Sequence, residues 1–390
     1  MTALREADWW AARAAAAGLA DRLGSEQVPV GATDRRVLAA DVHALCDLPS
    51  FDTSAMDGWA LAGDGPWRIV GDVAAGSPLP DRLAPGTCAR IATGAVVPEG
   101  TLGVLRWEAA EVREGAVHGE VAAGRDIRRR GEECRTGELI ASAGTVVTPA
   151  LSGFLAATGH DTAGVTRRPA VELILLGDEL LEEGIPRGGL VRDSLGPQLP
   201  GWLDRAGASA SDRQRVGDEL DDVVDAFARA VDRADLVITT AGTAEGPRDH
   251  VRGAIERLGG RLVVDHVAVR PGHPMLLACL PAGDRNVPLV GLPGNPHSAV
   301  AGFATLAMPL IDAMLGRTVE GLSRVPTAEE LRAPRGHTRL IAGVLADGAF
   351  VLSPYGGSAM LRGLAQSRGF AVVPEGVTPA GGLVAWLPLP

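Results

Sequence analysis

The sequence predicts a multi-domain α/β fold, and three observations lead to this expectation. Its 390 residues exceed what one ordinary hydrophobic core organises. Between Ala170 and Leu315, apolar runs alternate with segments of helical periodicity, which is typical of βαβ units in a doubly wound, mostly parallel sheet. On both sides of this region, short Val- and Ile-rich segments alternate with Gly and Pro, which favours two β-rich domains.

The N-terminal part predicts a helix, then turns, then strands. The Ala-rich residues Leu4–Leu23 favour an amphipathic helix that packs on another element. A short helix is expected over Arg36–Asp41, and turn chemistry dominates Leu48–Gly58. The short segments of residues 67–135 predict an all-β module. Helical periodicity returns at Pro149–Thr158.

The alternating region predicts three strands and four helices in chain order. The strands lie in VELILLGDEL, DLVITTAG and VPLVGLPGNP, and the helices in GPQLPGWLDRAG, ELDDVVDAFARAVDRA, RDHVRGAIERLG and HSAVAGFATLAMPLIDAML. After Gly316, the segments RLIAGVL, AFVLSPY, GFAVVPEG and GGLVAWLPL predict a small terminal β-barrel or β-sandwich.

Charge and composition exclude several classes of protein. The net charge is −11 and the basic residues are scattered apart from Arg128–Arg130, so no nucleic-acid partner is expected. No lysine occurs, which excludes a lysine Schiff base and a P-loop lysine.

Cysteine spacing and hydropathy bear on the cellular compartment. Cys46, Cys88, Cys134 and Cys279 form no C-x-x-C pair, which argues against a zinc site or disulfide framework and fits a reducing cytosol. The N-terminus lacks a cationic region before an apolar stretch, and no run approaches ~18 apolar residues. We therefore expect a cytoplasmic protein with no membrane partner.

Three Gly-rich loops follow the predicted strands: GDEL, TTAGTAEGPRD and GLPGNPHS. Parallel strands place these loops at one sheet edge, and the helix starts after Gly242–Asp249 and Asn295–Ser298 are candidate sites for a phosphate or oxyanion. The loops match neither a P-loop nor G-x-G-x-x-G. Tight turns, with Asp249 as a helix cap, are an equally good alternative.

Carboxylates are concentrated in the same loops. Asp178, Glu179, Asp193, Asp218 and Asp249 lie at or near the predicted strand ends. Carboxylates that face a phosphate normally need a divalent cation between them, and Mg²⁺ is the usual one. For each residue alone, a solvated loop charge or a helix cap is the alternative.

Several motifs, in order, carry a family resemblance. LPSFDTSAMDGWA, RIATGAVVPEG, RRRGEE, LGDEL, TTAGTAEGPRD, RPGHP and GLPGNPHSA resemble, in sequence and spacing, motifs of the MoeA family of molybdopterin molybdenumtransferases, which includes the E domain of gephyrin. The resemblance extends from about Arg36 to the final strands and is weakest in the last seventy residues.

The resemblance implies a homodimer whose subunit has four domains. An elongated N-terminal domain of helices and strands would comprise residues 1–45 and 136–168, with an inserted β domain at 46–135. A MogA-like molybdopterin-binding α/β domain would follow at 169–317, and a β-barrel at 318–390. The active cleft would combine the α/β and terminal domains of one subunit with the β insertion of the other.

The resemblance also implies an activity and its participants. Molybdate would be inserted into adenylylated molybdopterin with Mg²⁺, and AMP would be released. A MogA-type adenylyltransferase and molybdoenzymes would be further protein partners.

Roles transfer to this chain by motif. Five catalytic residues are expected: Asp57, Thr93, Glu179, Asp218 and Asp249. Glu179, Asp218 and Asp249 are also the expected metal ligands. The expected substrate-binding residues are Gly242, Asp193, Ser194, Arg270, His273, Pro274, Pro293, Gly294, Asn295, Pro296, Ser298, Arg339 and Ser358.

The chain departs from the family pattern at the expected oxyanion site. Ala241 and Ala244 replace a glycine and a serine, and Glu245 adds a negative charge. The two lysines of the family's KPGKP loop are Arg270 and His273. His273 would bind the oxyanion, or would point to solvent while Arg270 or Arg339 holds it. Two further readings therefore stay open: a divergent paralogue that handles another step or oxyanion such as tungstate, and a non-catalytic dimeric scaffold.

Overall fold

The computed structural model describes residues 3–78, 81–244, 246, 249–317 and 321–390. Its contacts divide the chain into two compact units. Unit 1 comprises Met1–Glu26, Arg35–Ala39 and Val165–Pro390, and unit 2 comprises Gln27–Asp34 and Ala40–Gly164. The four domains that the resemblance implies are a finer division, which stays a prediction.

Most of the predicted helices are present. The α-helices of the described residues are α1 (Trp9–Ala17), α2 (Pro149–Ala157), α3 (Leu195–Ala206), α4 (Leu220–Val231), α5 (Val251–Arg257), α6 (Pro296–Gly302), α7 (Met308–Leu315) and α8 (Leu361–Ala365). Short 3₁₀ helices lie at Val30–Ala32 and Trp107–Ala109.

The N-terminal helix is shorter than expected. The Asp8 carboxylate accepts hydrogen bonds from the amides of Trp10 and Ala11, so α1 starts only at Trp9. The preceding residues Leu4–Ala7 instead form an edge strand, paired in parallel with Arg261–Val267. Edge pairing is a long-range interaction that the local helical composition does not reveal.

The helix expected at Arg36–Asp41 is absent. Leu38 forms an antiparallel bridge with Val165, and the carbonyl of Val37 accepts a hydrogen bond from the Thr166 amide. The backbone at Val37 and Leu38 therefore pairs with a distant part of the chain in place of forming helical hydrogen bonds.

Unit 1 contains a seven-stranded mixed sheet flanked by helices. In spatial order its strands are Leu4–Ala7, Arg261–Val267, Leu276–Ala282, Arg285–Leu292, Leu236–Thr240, Ala170–Leu176 and Ser209–Val216. Leu276–Ala282 runs antiparallel to the others, so the expectation of a parallel sheet is correct for the strands that carry the Gly-rich loops.

The longest apolar helical stretch is a core element. It combines α6, a π-helical segment Phe303–Ala307 and α7 into Pro296–Leu315. By length and composition this stretch is apolar enough to span a membrane, with a mean hydropathy of 1.6, but 83% of it is buried inside the protein. Its side chains pack on the sheet within the largest hydrophobic cluster, which explains its composition.

A second sheet lies in the C-terminal part of unit 1. Its strands are Val269–Arg270, Thr338–Ala346, Gly369–Val373, Leu383–Pro388 and Arg324–Pro326 in spatial order, with Ala349–Leu352 also paired to Thr338–Ala346. Strand pairs add Leu331–Ala333 with Gly376–Thr378 and Leu180–Leu181 with Val191–Arg192. All four terminal segments predicted as β-structure contain strands.

Unit 2 contains a six-stranded sheet, as the mid-chain pattern predicts. Its strands are Gly103–Arg106, Gly58–Ala62, Thr87–Ile91, Trp67–Val73, Ala116–His118 and Glu111–Arg113 in spatial order. Short ladders pair Val42–His43 with Leu139–Ala141 and Thr53–Ser54 with Ile127–Arg128. The strands Ser25–Pro29 and Thr162–Thr166 lie where the chain passes between the two units.

Candidate functional site

The three Gly-rich loops of unit 1 lie at one sheet edge. Strands Ala170–Leu176, Leu236–Thr240 and Arg285–Leu292 are parallel neighbours, with Leu175 opposite Thr240 and Thr240 opposite Leu292. The segments that follow these strands therefore start side by side. In open α/β sheets this edge is where ligands bind.

The loop after Leu236–Thr240 has an unusual backbone. Ala241 has φ 65° and Gly242 has φ 64°, so an alanine occupies a left-handed conformation that favours glycine. A Cβ built on Gly294 would lie 3.2 Å from the Ala241 Cβ, so the Ala241 methyl group lies beside the exposed backbone of the GLPGNP loop. The family's motif has a glycine at position 241. The methyl group of Ala241 therefore occupies room beside Gly294 that a glycine would leave open.

Asp249 closes the same loop. Its Oδ2 accepts a hydrogen bond from the Gly246 amide at 2.6 Å, and the Asp249 amide donates to the Gly246 carbonyl at 3.0 Å. Arg252 stabilises the preceding part of this loop, because its Nη1 donates hydrogen bonds to the carbonyls of Thr243 and Ala244. Glu245 lies outside the described residues. Asp249 thus holds the loop, and its role in catalysis stays a prediction.

The start of α6 brings together two predicted segments that are distant in sequence. The amides of His297 and Ser298 donate to the Ser358 carbonyl at 3.1 and 3.2 Å. A carbonyl from the C-terminal part therefore already accepts two amides of this helix start, and anion binding here stays a prediction. Pro293, Gly294, Asn295 and Pro296 form the turn that leads into the helix.

The carboxylates after the first loop do not form one cluster. The Asp178 amide donates to Asp218 Oδ2 at 3.4 Å, and a Cβ on Gly217 would lie 2.9 Å from Asp178 Oδ1, so these two acids are neighbours. Glu179 is exposed, and a Cβ on Gly177 would lie 2.6 Å from its Oε2. Among the described residues, no three His, Cys, Asp or Glu side chains are arranged to hold a metal ion.

Asp193 and Ser194 mark the start of α3. Asp193 is buried, and its Oδ1 accepts hydrogen bonds from the amides of Leu195 and Gly196, both at 2.9 Å. The Ser194 carbonyl accepts a hydrogen bond from the Gln198 side chain at 2.8 Å. The structure therefore gives Asp193 a capping function, and substrate binding by these two residues stays a prediction.

Two predicted basic residues are neighbours on adjacent strands. Arg270 is directly opposite Arg339 in a parallel ladder, so both side chains emerge from the same face of the sheet. Arg339 Nη1 donates to the Arg332 carbonyl at 2.9 Å, and Arg339 lines a cleft of about 280 Å³ with Ser353 to Gly356 of the loop that continues to Ser358. Arginine side chains on registered positions of adjacent strands are candidates for binding a dianion.

His273 has a partner that the sequence did not reveal. Its Nε2 lies 2.8 Å from Glu6 Oε2, and its ring centroid lies 4.9 Å from that of His266 and 6.0 Å from that of His337. Pro274 follows it in the turn. His273 neither points freely to solvent nor stands alone, and a carboxylate already competes with any anion at this imidazole.

In unit 2, the two predicted catalytic residues Asp57 and Thr93 are in contact. Asp57 Oδ1 accepts hydrogen bonds from the Thr93 amide at 2.7 Å and from the Thr93 hydroxyl at 2.9 Å. These two donors hold the pKa of the Asp57 carboxyl below its usual value. Asp57 is therefore ionised at neutral pH and can accept a hydrogen bond, bind a cation or accept a proton.

Sequence reasoning missed the surroundings of Asp57. Asp57 lines a cleft of about 630 Å³ together with Arg90, Trp107 and Glu108. Trp107 is 39% exposed, which is unusual for so large an apolar side chain. The signal available in the sequence was a tryptophan between two charged residues, in RWE.

The imidazole of His297 is buried where the start of α6 contacts the segment that contains Gly357 and Ser358. It is 1% exposed, its Nδ1 lies 3.2 Å from the Gly357 carbonyl, and its Nε2 has no partner. Burial lowers the pKa of His297, because the charged form loses its hydration. His297 therefore stays neutral inside the fold at pH values where an exposed histidine begins to protonate.

This burial predicts a pH dependence of stability. The unfolded chain protonates His297 near pH ~6.5, whereas the folded protein does so only at lower pH. The contribution of His297 to the free energy of unfolding is therefore fully present above pH ~6.5. It is lost as the pH falls toward the lowered pKa of the folded protein, by at most ~1.4 kcal/mol per pH unit. We expect His297→Val to lose less stability than the wild type between pH 7.5 and pH 5.5 in urea unfolding. His43→Gln, at an exposed histidine, is the control, and parallel pH profiles for wild type and His297→Val would contradict the expectation.

Three family models match successive parts of the chain. Residues 8–159 match the MoeA N-terminal region (domain I and II), residues 172–313 match a family described as "probable molybdopterin binding domain", and residues 324–389 match the MoeA C-terminal region (domain IV). The order of the matches is the order of the motifs in the chain.

Curated relatives match over most of the chain. A molybdopterin molybdenumtransferase of Synechococcus elongatus is 33% identical over 379 residues, covering 91% of each chain. A molybdopterin molybdenumtransferase 2 of Mycobacterium tuberculosis is 33% identical over 377 residues, covering 90% of this chain and 91% of the relative.

A solved structure confirms the fold. The molybdopterin biosynthesis MoeA protein of Pyrococcus horikoshii has a TM-score of 0.82 at 21% identity, covering 98% of this chain and 100% of that one. The multi-domain α/β prediction is therefore confirmed. With relatives above 30% identity along almost their whole length, this chain belongs to the MoeA family of molybdopterin molybdenumtransferases.

Proposed function

We propose that this protein is a transferase of molybdenum cofactor biosynthesis that inserts molybdate into adenylylated molybdopterin and releases AMP. In this reaction the oxygen of a water molecule attacks the phosphorus of the molybdopterin phosphate, AMP leaves with the bridging oxygen, and the protons of the water are released. The site must therefore hold an anionic phosphate group and a second anion, molybdate.

The observation that carries the proposal is the pairing of Arg270 with Arg339. Arg270 stands where the family's loop has a lysine, and Arg339 lies at the registered position of the adjacent strand. Each charge-assisted hydrogen bond to an anion contributes roughly 1.5–3 kcal/mol. Ser353 to Gly356, in the loop that leads to Ser358, line the same cleft as Arg339, so this loop lies beside one of the two cations.

The carboxylates at the sheet edge would hold Mg²⁺ together with phosphate oxygens of the substrate. Asp178 and Asp218 are neighbouring carboxylates, and Mg²⁺ is commonly held by one or two carboxylates, water and substrate phosphates. Asp218, with Asp178 beside it, would then be a protein ligand of the ion, and Glu179 and Asp249 are further candidates. When bound, the ion would neutralise phosphate charge during release of AMP.

We further propose that the active form is a homodimer with a composite site. Asp57 and Thr93 belong to unit 2, while Asp218, Asp249 and Arg270 belong to unit 1. Family resemblance assigns the β insertion and the α/β loops of one cleft to different subunits. Each subunit would then supply an ionised Asp57 to the cleft of its partner.

A second candidate function is supported by His273. Because the carboxylate of Glu6 lies 2.8 Å from its Nε2, this residue is a poorer anion contact than the lysine of the family. A paralogue specialised for another oxyanion such as tungstate is the consequence to test. A non-catalytic scaffold is the remaining alternative.

One assay separates these functions. Purified protein is supplied with adenylylated molybdopterin, Mg²⁺ and either molybdate or tungstate, and both AMP release and activation of an apo-molybdoenzyme are measured. We expect AMP release and cofactor activation with molybdate, and loss of both when EDTA removes the divalent ion. AMP release with tungstate alone would support the divergent function, and no release with either oxyanion would support the scaffold.

A further inference from the structure

The cleft beside Asp57 contains an aromatic surface, the ring of Trp107, which stacks on Trp59. Trp59 lies in strand Gly58–Ala62 directly opposite Arg90 in strand Thr87–Ile91, so their side chains share one face of the sheet. Trp107, at the start of its 3₁₀ helix, packs on both of them. The Trp59 and Trp107 rings are 6.1 Å apart with an interplanar angle of 23°, and the Arg90 guanidinium carbon lies 4.2 Å from the Trp107 ring centroid.

These contacts fix the orientation of Trp107 while leaving part of the ring accessible. Arg90 contacts Trp107 and lies 3.8 Å from the Asp72 carboxylate, so its position is held from two sides. Trp107 nevertheless keeps 39% of its surface exposed and lines the cleft of about 630 Å³. A partly exposed indole that lines a concave site is a stacking surface for a planar ring.

The charges of the cleft determine which end of a substrate it accepts. Among the residues that the structure describes, three carboxylates, Asp57, Asp72 and Glu108, line it with one arginine, Arg90. Phosphate groups are repelled by this excess of negative charge. An uncharged heteroaromatic ring with amino and ring N–H groups is favoured, because ionised carboxylates accept its hydrogen bonds.

We propose that Trp107 binds, by stacking, the planar amino-substituted nitrogen ring of the substrate, with Asp57, Asp72 and Glu108 as acceptors for its N–H groups. The inference rests on the proposed function, whose adenylylated substrate carries two such rings, a pterin and an adenine. Trp107 thereby determines how the ring end of the substrate is oriented, while the phosphates and molybdate are bound elsewhere.

Calorimetric titration of the full-length protein with AMP and, separately, with free pterin at up to millimolar concentration tests this inference. We expect Trp107→Ala to weaken binding of one probe by about tenfold, as stacking on an aromatic side chain predicts. Trp107→Phe should retain most of the affinity. Trp10→Ala, at another tryptophan that is 50% exposed, is the matched control and should bind like the wild type.

The identity of the weakened probe assigns the ring. Weaker AMP binding assigns the adenine, and weaker pterin binding assigns the pterin. Equal binding of both probes by wild type and Trp107→Ala, or no binding of either probe to wild type, would overturn the inference. Because calorimetry requires no turnover, this failure is distinct from a wild-type protein that releases no AMP, which would instead reject the proposed function.

Discussion

Replacing Asp249 with alanine should lower the rate of AMP release by at least about a hundredfold, the size of effect typical of a lost electrostatic contact in an active site. The carboxylate has two oxygens, and Oδ2 already accepts the hydrogen bond from the Gly246 amide. Oδ1 can then serve the metal ion or the substrate at the sheet edge. The measurement is single-turnover AMP release with saturating Mg²⁺ and molybdate.

Two further variants separate the catalytic role of Asp249 from its structural one. Asp249→Asn keeps an oxygen acceptor for Gly246 but removes the charge, so we expect it to fold normally and to be nearly as inactive as Asp249→Ala. Asp225→Ala, at an exposed carboxylate on α4, should keep wild-type activity. An active Asp249→Asn protein would reduce Asp249 to a residue that holds the loop, and unfolding of Asp249→Ala would support the same structural role.

Mixing two inactive variants should restore activity if the site is shared between subunits. Asp57→Ala removes the acid of unit 2, and Asp249→Ala removes the acid of unit 1. In a heterodimer of the two variants, one composite site lacks both acids and the other lacks neither. Random pairing of equal amounts gives half heterodimers, so about a quarter of wild-type activity should return.

The mixture must be shown to contain heterodimers, for example by native mass spectrometry of differently tagged chains. Unfolding and refolding each variant alone provides the control for partial reactivation by the procedure. Verified heterodimers without AMP release would place both acids in the site of a single subunit, and a monomeric wild-type protein would reject the composite site altogether.

The sequence was sufficient for elements whose signals are local. Strands such as Ala170–Leu176 are continuous apolar runs, and α4 has a clear helical periodicity with acidic residues in its first turn. Chain order then determined the sheet edge on which the Gly-rich loops lie, because crossover connections keep those strands parallel. The pairing of Asp57 with Thr93 agrees with their common assignment to the site, although 36 positions separate them.

Edge strands were not visible in the sequence. Ser209–Val216 reads SASDRQRV, and its polar residues give no apolar alternation because an edge strand is only partly covered. Leu4–Ala7 is a second edge strand that the sequence did not predict, because its hydrogen-bond partner lies more than 250 residues away. Local composition cannot encode which distant backbone satisfies an amide.

What the sequence by itself determined is the family, the motif loops and the residue types from which an anion site is predicted. Only the tertiary structure decided which groups are already occupied. The Ser358 carbonyl accepts the amides at the start of α6, and Glu6, 267 positions from His273, faces its imidazole. The same holds for Trp107, whose stacking on Trp59 and Arg90 depends on strand register. The physical reason is that hydrogen-bond and ion-pair partners compete for a group through space, and the fold determines which competitor is closest.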